Sequence, residues 1–206
     1  TLGNPLFVIR LLQYIYNDRI LTYSNIEDKI KIDFNRLEKL NFTENIINLL
    51  TNEIKKIDII TKEIIEISSC LGENFTGVQI SKISKLNIKK VQSILNNLKQ
   101  KKYIYLKNNL YNFTHDKIKE AVQKMLSEKE KQKIYYEIVE KIYKKDLKKY
   151  IVEAAIGYNK IIENIDNPNK LKEIAVINYN AARETSKLFL HNKSFVFLME
   201  SKNIID

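Results

Sequence analysis

The sequence predicts a mainly α-helical chain that contains one small β-hairpin module. Only four Gly and two Pro occur among its 206 residues, so few positions interrupt a helix. Apolar residues make up 44% of the chain and recur at helical spacing, which provides for a hydrophobic core. Helix-capping residues separate these segments. We therefore expect three consecutive parts: helices over 1–56, a winged helix over 57–114, and antiparallel helices that begin a superhelical array over 115–206.

The N-terminal part begins with a helix. Pro5 suits the first helical turn, and an apolar stripe follows it to about Asn17. The rest of this part is predicted as two short strands and two helices: Ile20–Tyr23, Ile30–Asp33, 34–40 and 44–56, the last capped by Thr43.

The middle part has the element order of a winged helix, which is three helices followed by a two-stranded wing. A glycine marks the end of the first helix, and side-chain caps mark the starts of the next two. Two strand-like runs then flank an Asn-Asn pair, and Asn tolerates the positive φ of a tight hairpin turn. The signals are, in order, Gly72, the Thr76–Gln79 capping box, Asn87, Tyr103–Lys107, Asn108-Asn109 and Leu110–Phe113.

The C-terminal part is helical from Thr114 onward. The stretch Ser127–Glu130 fits a second capping box and opens a helix that is predicted to run to about Lys145. Helix pairs of this length are typical of repeat arrays. Further helices are expected over 147–165, 169–190 and 192–203, with Asn167-Pro168 between the first two.

The chain is basic, with a formal net charge of +10 and 31 Lys against 4 Arg. Between residues 88 and 107 there are six Lys and no acidic residue. The third helix of a winged helix is the element that such folds offer to a major groove, so DNA binding is an alternative function. Base edges are read mainly by Arg, however, and this composition is typical of an AT-rich genome, so we do not expect nucleic acid as a partner. The candidate contacts are Lys89, Lys90, Lys99 and Lys102.

Several classes of chemistry have no motif in this sequence. There is no phosphate-binding glycine loop, no Ser-His-Asp grouping, and one Cys with two His cannot form a structural zinc site. We therefore predict no catalytic residue, no metal site and no enzymatic activity of the chain by itself.

No apolar run is long enough to span a membrane, and the single cysteine, Cys70, fits a reducing, cytoplasmic compartment. Because the sequence begins without Met or a signal peptide, we expect it to be part of a longer protein.

Two short stretches stand out at predicted helix starts. Gly3, Asn4 and Pro5 precede the first helix, and His115 and Asp116 follow the wing. Taken separately, each has an ordinary interpretation: a helix-starting proline, a capping histidine, and a carboxylate at the positive end of a helix dipole.

Their order along the chain resembles a known class. The stretches Gly3-Asn-Pro-Leu-Phe-Val-Ile-Arg-Leu-Leu12, Cys70-Leu-Gly-Glu-Asn-Phe75, Tyr111-Asn-Phe-Thr-His-Asp-Lys-Ile-Lys-Glu-Ala121 and Asn178-Tyr-Asn-Ala-Ala182 resemble the STAND signal-transduction ATPases, relatives of the AAA+ group. The similarity is greatest to bacterial multidomain proteins that join a serine/threonine kinase-like domain, an ATPase and a sensor histidine kinase. The similarity extends over the whole chain.

The resemblance implies a regulatory function. In that class a Gly-x-Pro element opens a helical lid, and its proline packs on the adenine of the nucleotide. Gly3, Asn4 and Pro5 match this element, so the resemblance implies that they contact the nucleotide. A Met-His-Asp element of the winged helix senses the diphosphate of ADP in that class. His115 and Asp116 match this element, with Thr114 in place of Met, so the resemblance implies that they belong to the nucleotide site. The implied cofactor is ADP or ATP, shared with an upstream P-loop ATPase domain of the same chain. The C-terminal helices would be open to protein partners, and a protein–protein scaffold is the third interpretation of the chain.

Overall fold

The computed structural model describes residues 5–24, 28–38 and 42–205, and it confirms a mainly α-helical chain with a small β-hairpin module. The helices are α1 (Pro5–Asn17), α2 (Phe34–Glu38), α3 (Phe42–Lys55), α4 (Ile59–Cys70), α5 (Gly77–Ser84), α6 (Ile88–Gln100), α7 (Asp116–Met125), α8 (Glu128–Ile138), α9 (Leu147–Asn159), α10 (Pro168–Lys187) and α11 (His191–Ile205). The strands are β1 (Leu21–Ser24), β2 (Lys29–Ile32), β3 (Ile104–Lys107) and β4 (Leu110–Phe113).

The N-terminal part follows the predicted order, with the hairpin β1–β2 between α1 and α2. α3 begins at Phe42, so the prediction that Thr43 caps it was wrong, because Thr43 lies inside the helix. Three α3 side chains, Ile47, Leu50 and Ile54, are buried, and α3 packs against α7. Helix α3 therefore belongs to the same hydrophobic core as the later elements.

The local signals of the winged helix are confirmed. Thr76 and Gln79 form both bonds of the capping box, and the Asn87 side chain caps α6. The hairpin β3–β4 turns at Asn108 and Asn109, whose φ angles of 52° and 61° fit a type I′ turn.

One contact of this module was not predicted. Phe75, in the segment between α4 and α5, pairs with Tyr111 of β4 through two backbone hydrogen bonds of 2.8 and 3.0 Å. The Phe75 ring is fully buried and lies against the rings of Tyr111 and Phe113. The hairpin is therefore fastened to the helical part by a third extended segment.

The C-terminal helices depart from the predicted pattern at two points. The helix predicted over 147–165 ends early, because α9 stops at Asn159 and a separate 3-10 turn, Ile162–Asn164, follows it. The helix opened by the Ser127 capping box does not run to Lys145 as an α-helix: α8 ends at Ile138, and a π-helical turn, Val139–Tyr143, follows it. At this turn α9 comes so close that a Cβ at Gly157 would overlap the Cγ2 atom of Val139. We attribute the wider π turn to this close crossing, since such turns accommodate local packing constraints.

The last two helices form an antiparallel pair. Two buried serines of α11 donate to carbonyl groups of α10: Ser194 to Ala182 at 2.9 Å and Ser201 to Ala175 at 2.9 Å. One cluster of buried side chains connects α3 to α11, so the core is continuous through the three predicted parts.

Candidate functional site

A pocket of about 310 Å³ lies where the wing meets α7. β4 ends at Phe113, and the backbone N–H of Thr114 donates to the Tyr103 carbonyl at 3.0 Å, which fixes the chain as it leaves the hairpin. The pocket is lined by Glu73, Tyr105, Asn112, Phe113, Thr114, His115, Asp116 and Lys119. The structure thus places the predicted pair His115 and Asp116 together in one concave site.

His115 is the N-cap of α7, as the simpler interpretation of this residue predicted. Its Nδ1 atom accepts a hydrogen bond from the backbone N–H of Lys117 at 3.2 Å. In the neutral imidazole the proton therefore lies on Nε2, which makes Nε2 a donor. The same helix start carries the positive end of the α7 dipole, and Asp116 occupies its first turn. One imidazole can therefore cap the helix through Nδ1 and also donate a hydrogen bond through Nε2.

Thr114 brings an unsatisfied group to this pocket. Its Oγ1 atom is buried and has no hydrogen-bond partner within the part of the chain that the structure describes. Burying a hydroxyl without a partner costs about 1–3 kcal/mol, so such a group requires an explanation. A polar ligand or a bound water at the pocket would satisfy it.

Lys119 supplies a cation that the sequence interpretation did not include. Its Nζ atom donates to the Gly72 carbonyl at 3.0 Å and to the Glu73 carboxylate at 3.3 Å. The position could have been found from the sequence, because Lys119 is four residues after His115 and so lies on the same face of α7. Glu73 is 82% exposed, so it can leave Lys119 at little cost.

The predicted Gly-x-Pro element is described only in part. The predictions for Gly3 and Asn4 lie outside the described residues. Pro5 is the first residue of α1, as expected for a helix-starting proline. Its assignment to a nucleotide site stays a prediction.

The alternative DNA surface is exposed. Lys89, Lys90 and Lys99 lie on the solvent side of α6, and Lys102 follows the helix in a turn with a φ of 59°. A shallow groove of about 590 Å³ runs along this face and is lined mostly by amide, hydroxyl and lysine side chains: Thr61, Lys89, Gln92, Ser93, Asn96, Asn97 and Gln100, together with Ile94.

The densest ionic cluster lies elsewhere, between the π turn, α9 and α10. Lys170 donates to Glu140 at 2.6 Å, to the Tyr158 hydroxyl at 2.8 Å and to Glu173 at 3.1 Å. Burial acts to raise the pKa of Glu140, but the hydrogen bonds from Lys170 and Tyr158 outweigh it and hold that pKa below its ordinary value. Burial acts to lower the pKa of Lys170, and its bonds to Glu140 and Glu173 raise it overall. The cluster joins three elements and is fully paired, which is typical of a structural network.

Across residues 5–24, 28–38 and 42–205, no three His, Cys, Asp or Glu side chains come together as a metal-binding group. No helix within those ranges is long and apolar enough to cross a bilayer.

The comparisons with known proteins give one informative match. The chain is similar to a protein named hybrid signal transduction histidine kinase G from Dictyostelium discoideum, with 24% identity over 87 residues. The match covers 42% of this chain and about 2% of that much longer protein. No family model matches the chain. No solved structure matches it either.

Proposed function

We propose that this chain is the regulatory part of a cytoplasmic STAND-type signalling ATPase, and that it closes over ADP or ATP and couples nucleotide state to signalling output. One observation carries the proposal: His115, which caps α7 through Nδ1, lines a pocket at a helix N-terminus, and its Nε2 atom is the donor nitrogen of the ring. The similarity to a histidine kinase whose name includes signal transduction supports a signalling role. The free, buried Cys70 fits a reducing compartment.

The residues of the pocket fit the phosphate end of a nucleotide. The N–H groups at the start of α7 favour an anion, and the Thr114 hydroxyl lacks a partner among the described residues. Lys119 can exchange its exposed partner Glu73 for a phosphate oxygen, while His115 donates through Nε2. Asp116 limits the negative charge that the pocket accepts, because its carboxylate also lines the pocket and repels anions. The chain would thus hold the terminal phosphate mainly through neutral donors and one lysine.

The remainder of the nucleotide site would come from other segments. In the proposal, Gly3, Asn4 and Pro5 contact the adenine side, and an upstream P-loop ATPase domain of the same chain binds the triphosphate and its metal. By itself the chain would have no enzymatic activity. Its helices would favour a closed state with ADP and an open, signalling state with ATP, which is a population shift between two arrangements.

The two histidines of the chain provide a matched test. Each lies at a helix start, His115 at α7 and His191 at α11. In the full-length protein, His115→Ala should lose one hydrogen bond to phosphate, worth roughly 1–3 kcal/mol, and so retain ADP about 5- to 150-fold less tightly. His191→Ala should retain it as the wild type does. The measurement is nucleotide content after purification together with the dissociation rate of ADP. If both variants keep ADP equally well, the nucleotide-sensor role of His115 is wrong.

A second candidate function, DNA binding by α6, is favoured by the exposure of its four lysines and by the amide-lined groove beside them. Asn and Gln side chains can read adenine, whereas Lys contacts to phosphate carry no sequence information. A salt titration with duplexes of different sequence separates the two functions. Sequence preference that survives physiological salt, and that is lost on changing Lys89, Lys90, Lys99 and Lys102 to Ala, would favour the DNA-binding function over the nucleotide switch.

A further inference from the structure

Another concavity lies away from the His115 pocket, between the start of α9 and one face of α10. Its volume is about 630 Å³. Its apolar lining comes from Leu147 and Ile151 of α9 and from Val176 and Ile177 of α10. Val176 is 59% exposed, which is unusual for an apolar side chain in the middle of a long helix that packs on two others.

On α10 this groove exposes Lys172 and Val176, whereas Ile177 of the same face is buried. The Asn178 amide bonds to Asn159 of α9, and the carbonyl groups of Ala175 and Ala182 bond to serines of α11. The groove residues of α10 recur every three or four positions from Asn169 to Glu184 and form a separate stripe. That stripe is about 22 Å long, the length of a helix of four turns. An amphipathic helix has the matching shape, since its own apolar stripe follows the same period.

The charged side chains of the groove indicate which kind of amphipathic helix would fit it. The two carboxylates of the groove are already paired, Glu173 with Lys144 and Lys170, and Glu184 with Lys187. The two lysines of the groove, Lys148 and Lys172, are exposed and form no ion pair with the described residues. The uncompensated charge at the rim is therefore positive. The start of α9 adds to it, because four lysines and one carboxylate lie between residues 144 and 149.

We propose that the groove between α9 and α10 binds an acidic amphipathic helix of a partner protein. Apolar side chains of that helix would enter between Leu147, Ile151 and Val176, and its carboxylates would pair with Lys148 and Lys172. This binding mode is the helix-in-groove type, in which spaced apolar anchors give affinity and charges at the rim give selectivity. The proposal does not depend on the nucleotide-sensing role of His115.

The test uses the 206-residue chain and two synthetic peptides of about 16 residues, which is four helical turns. Both carry Leu at the same helical stripe in an Ala background, and one carries Glu where the other carries Lys. We expect the acidic peptide to bind with at least about ten-fold lower Kd than the basic one, and higher salt to narrow that difference. Equal affinity for the two peptides would overturn the proposal.

Two exposed valines give a matched pair for the groove itself. Val176→Asp should raise the Kd for the acidic peptide about ten-fold or more, because it places a carboxylate at the apolar anchor. Val196→Asp on α11, where the valine is 55% exposed and does not line the groove, should leave the Kd unchanged. Neither variant should change the melting temperature much, since both side chains are largely in solvent. Equal weakening by the two variants would place the binding outside the groove and contradict the proposal.

Charge reversal tests the rim. The double variant Lys148→Glu/Lys172→Glu should prefer the basic peptide, whereas Lys129→Glu/Lys193→Glu, which changes two exposed lysines outside the groove, should keep the wild-type preference. Vesicles that contain phosphatidylserine distinguish a membrane from a protein partner. Vesicle binding that Val176→Asp abolishes, without binding of either peptide, would replace the partner helix by a lipid surface.

Discussion

Helix α6 of the winged helix and the last two helices of the chain differ in how far their apolar residues are exposed. In the winged helix the large apolar side chains of α6, among them Val91, Leu95 and Leu98, are buried, and its outer face is polar. In the C-terminal helices apolar side chains such as Phe189, Phe195 and Val176 are 82%, 64% and 59% exposed. Isolated exposed apolar residues are ordinary, but a series of them along two adjacent helices is typical of a surface that meets a partner. The outer face of α6 is therefore polar, whereas α10 and α11 leave several apolar side chains in solvent.

The largest effect should come from a matched pair of leucines in these two regions. Leu95 is fully buried in α6, whereas Leu198 of α11 is 43% exposed. Leu95→Ala should lower the free energy of unfolding by about 2–5 kcal/mol, because it leaves a cavity. Leu198→Ala should change it by no more than about 0.5 kcal/mol. Urea denaturation of both variants measures the difference. A large loss of stability in Leu198→Ala would mean that this face of α11 contributes to the core of the chain. The difference between α6 and α11 would then not hold.

The close crossing at the π turn predicts the next largest effect. Gly157→Ala should lower the free energy of unfolding by about 1–3 kcal/mol, because the added methyl group overlaps Val139 and the turn must shift. The double variant Gly157→Ala/Val139→Ala should recover part of that loss. Thermal denaturation followed by circular dichroism gives both values. An unchanged stability of Gly157→Ala would show that this turn can relax without strain.

The cluster around Lys170 predicts a pH dependence of the stability of the C-terminal part. The lowered pKa of Glu140 gives stability that is present above its ordinary value of 4.5 and is lost as pH falls through the folded value. The raised pKa of Lys170 gives stability that is present below 10.5 and is lost as pH rises through the folded value. Lys170→Met should therefore lower the free energy of unfolding by about 1–3 kcal/mol between these two pH limits, and by less at more acidic or more basic pH.

Another lysine of α10 serves as the control for this effect. Lys187 pairs with Glu184 on the surface, where both side chains are at least half exposed. Lys187→Met should cost no more than about 0.5 kcal/mol at any pH. The measurement is the urea midpoint of each variant across the pH range. Equal losses for Lys170→Met and Lys187→Met would mean that the cluster acts as an ordinary surface network.

The smallest effect should be the same in both regions. Thr76 in the winged helix and Ser127 in the C-terminal part each form a complete capping box. Thr76→Ala and Ser127→Ala should each lower the free energy of unfolding by about 1 kcal/mol, because the bond to the N3 backbone group is lost. Calorimetry of the two variants tests whether a capping box contributes the same free energy of unfolding in the winged helix and in the C-terminal part. A loss several times larger for one of them would show that its cap also fixes tertiary packing.

Local signals in the sequence were sufficient for most element boundaries. The two capping boxes, the Asn87 cap and the turn at Asn108-Asn109 were predicted from residue type, since each depends on side chains within a few positions of the chain. The placement of His115 and Asp116 at a helix start followed in the same way. Such features are determined by short-range sterics and hydrogen bonding, and the tertiary structure leaves them unchanged.

Other features were decided only by contacts between distant segments. Three contacts join residues that are far apart in the sequence: the Phe75–Tyr111 pairing, the approach of Gly157 to Val139 at the π turn, and the cluster at Lys170. The His115 pocket also depends on Glu73, which comes from the loop after α4. The sequence by itself determined where helices begin and which of their residues are apolar. The tertiary structure decided which apolar stripes are covered, because burial depends on how helices cross, and the periodic pattern of one helix is the same whether its partner is present or absent.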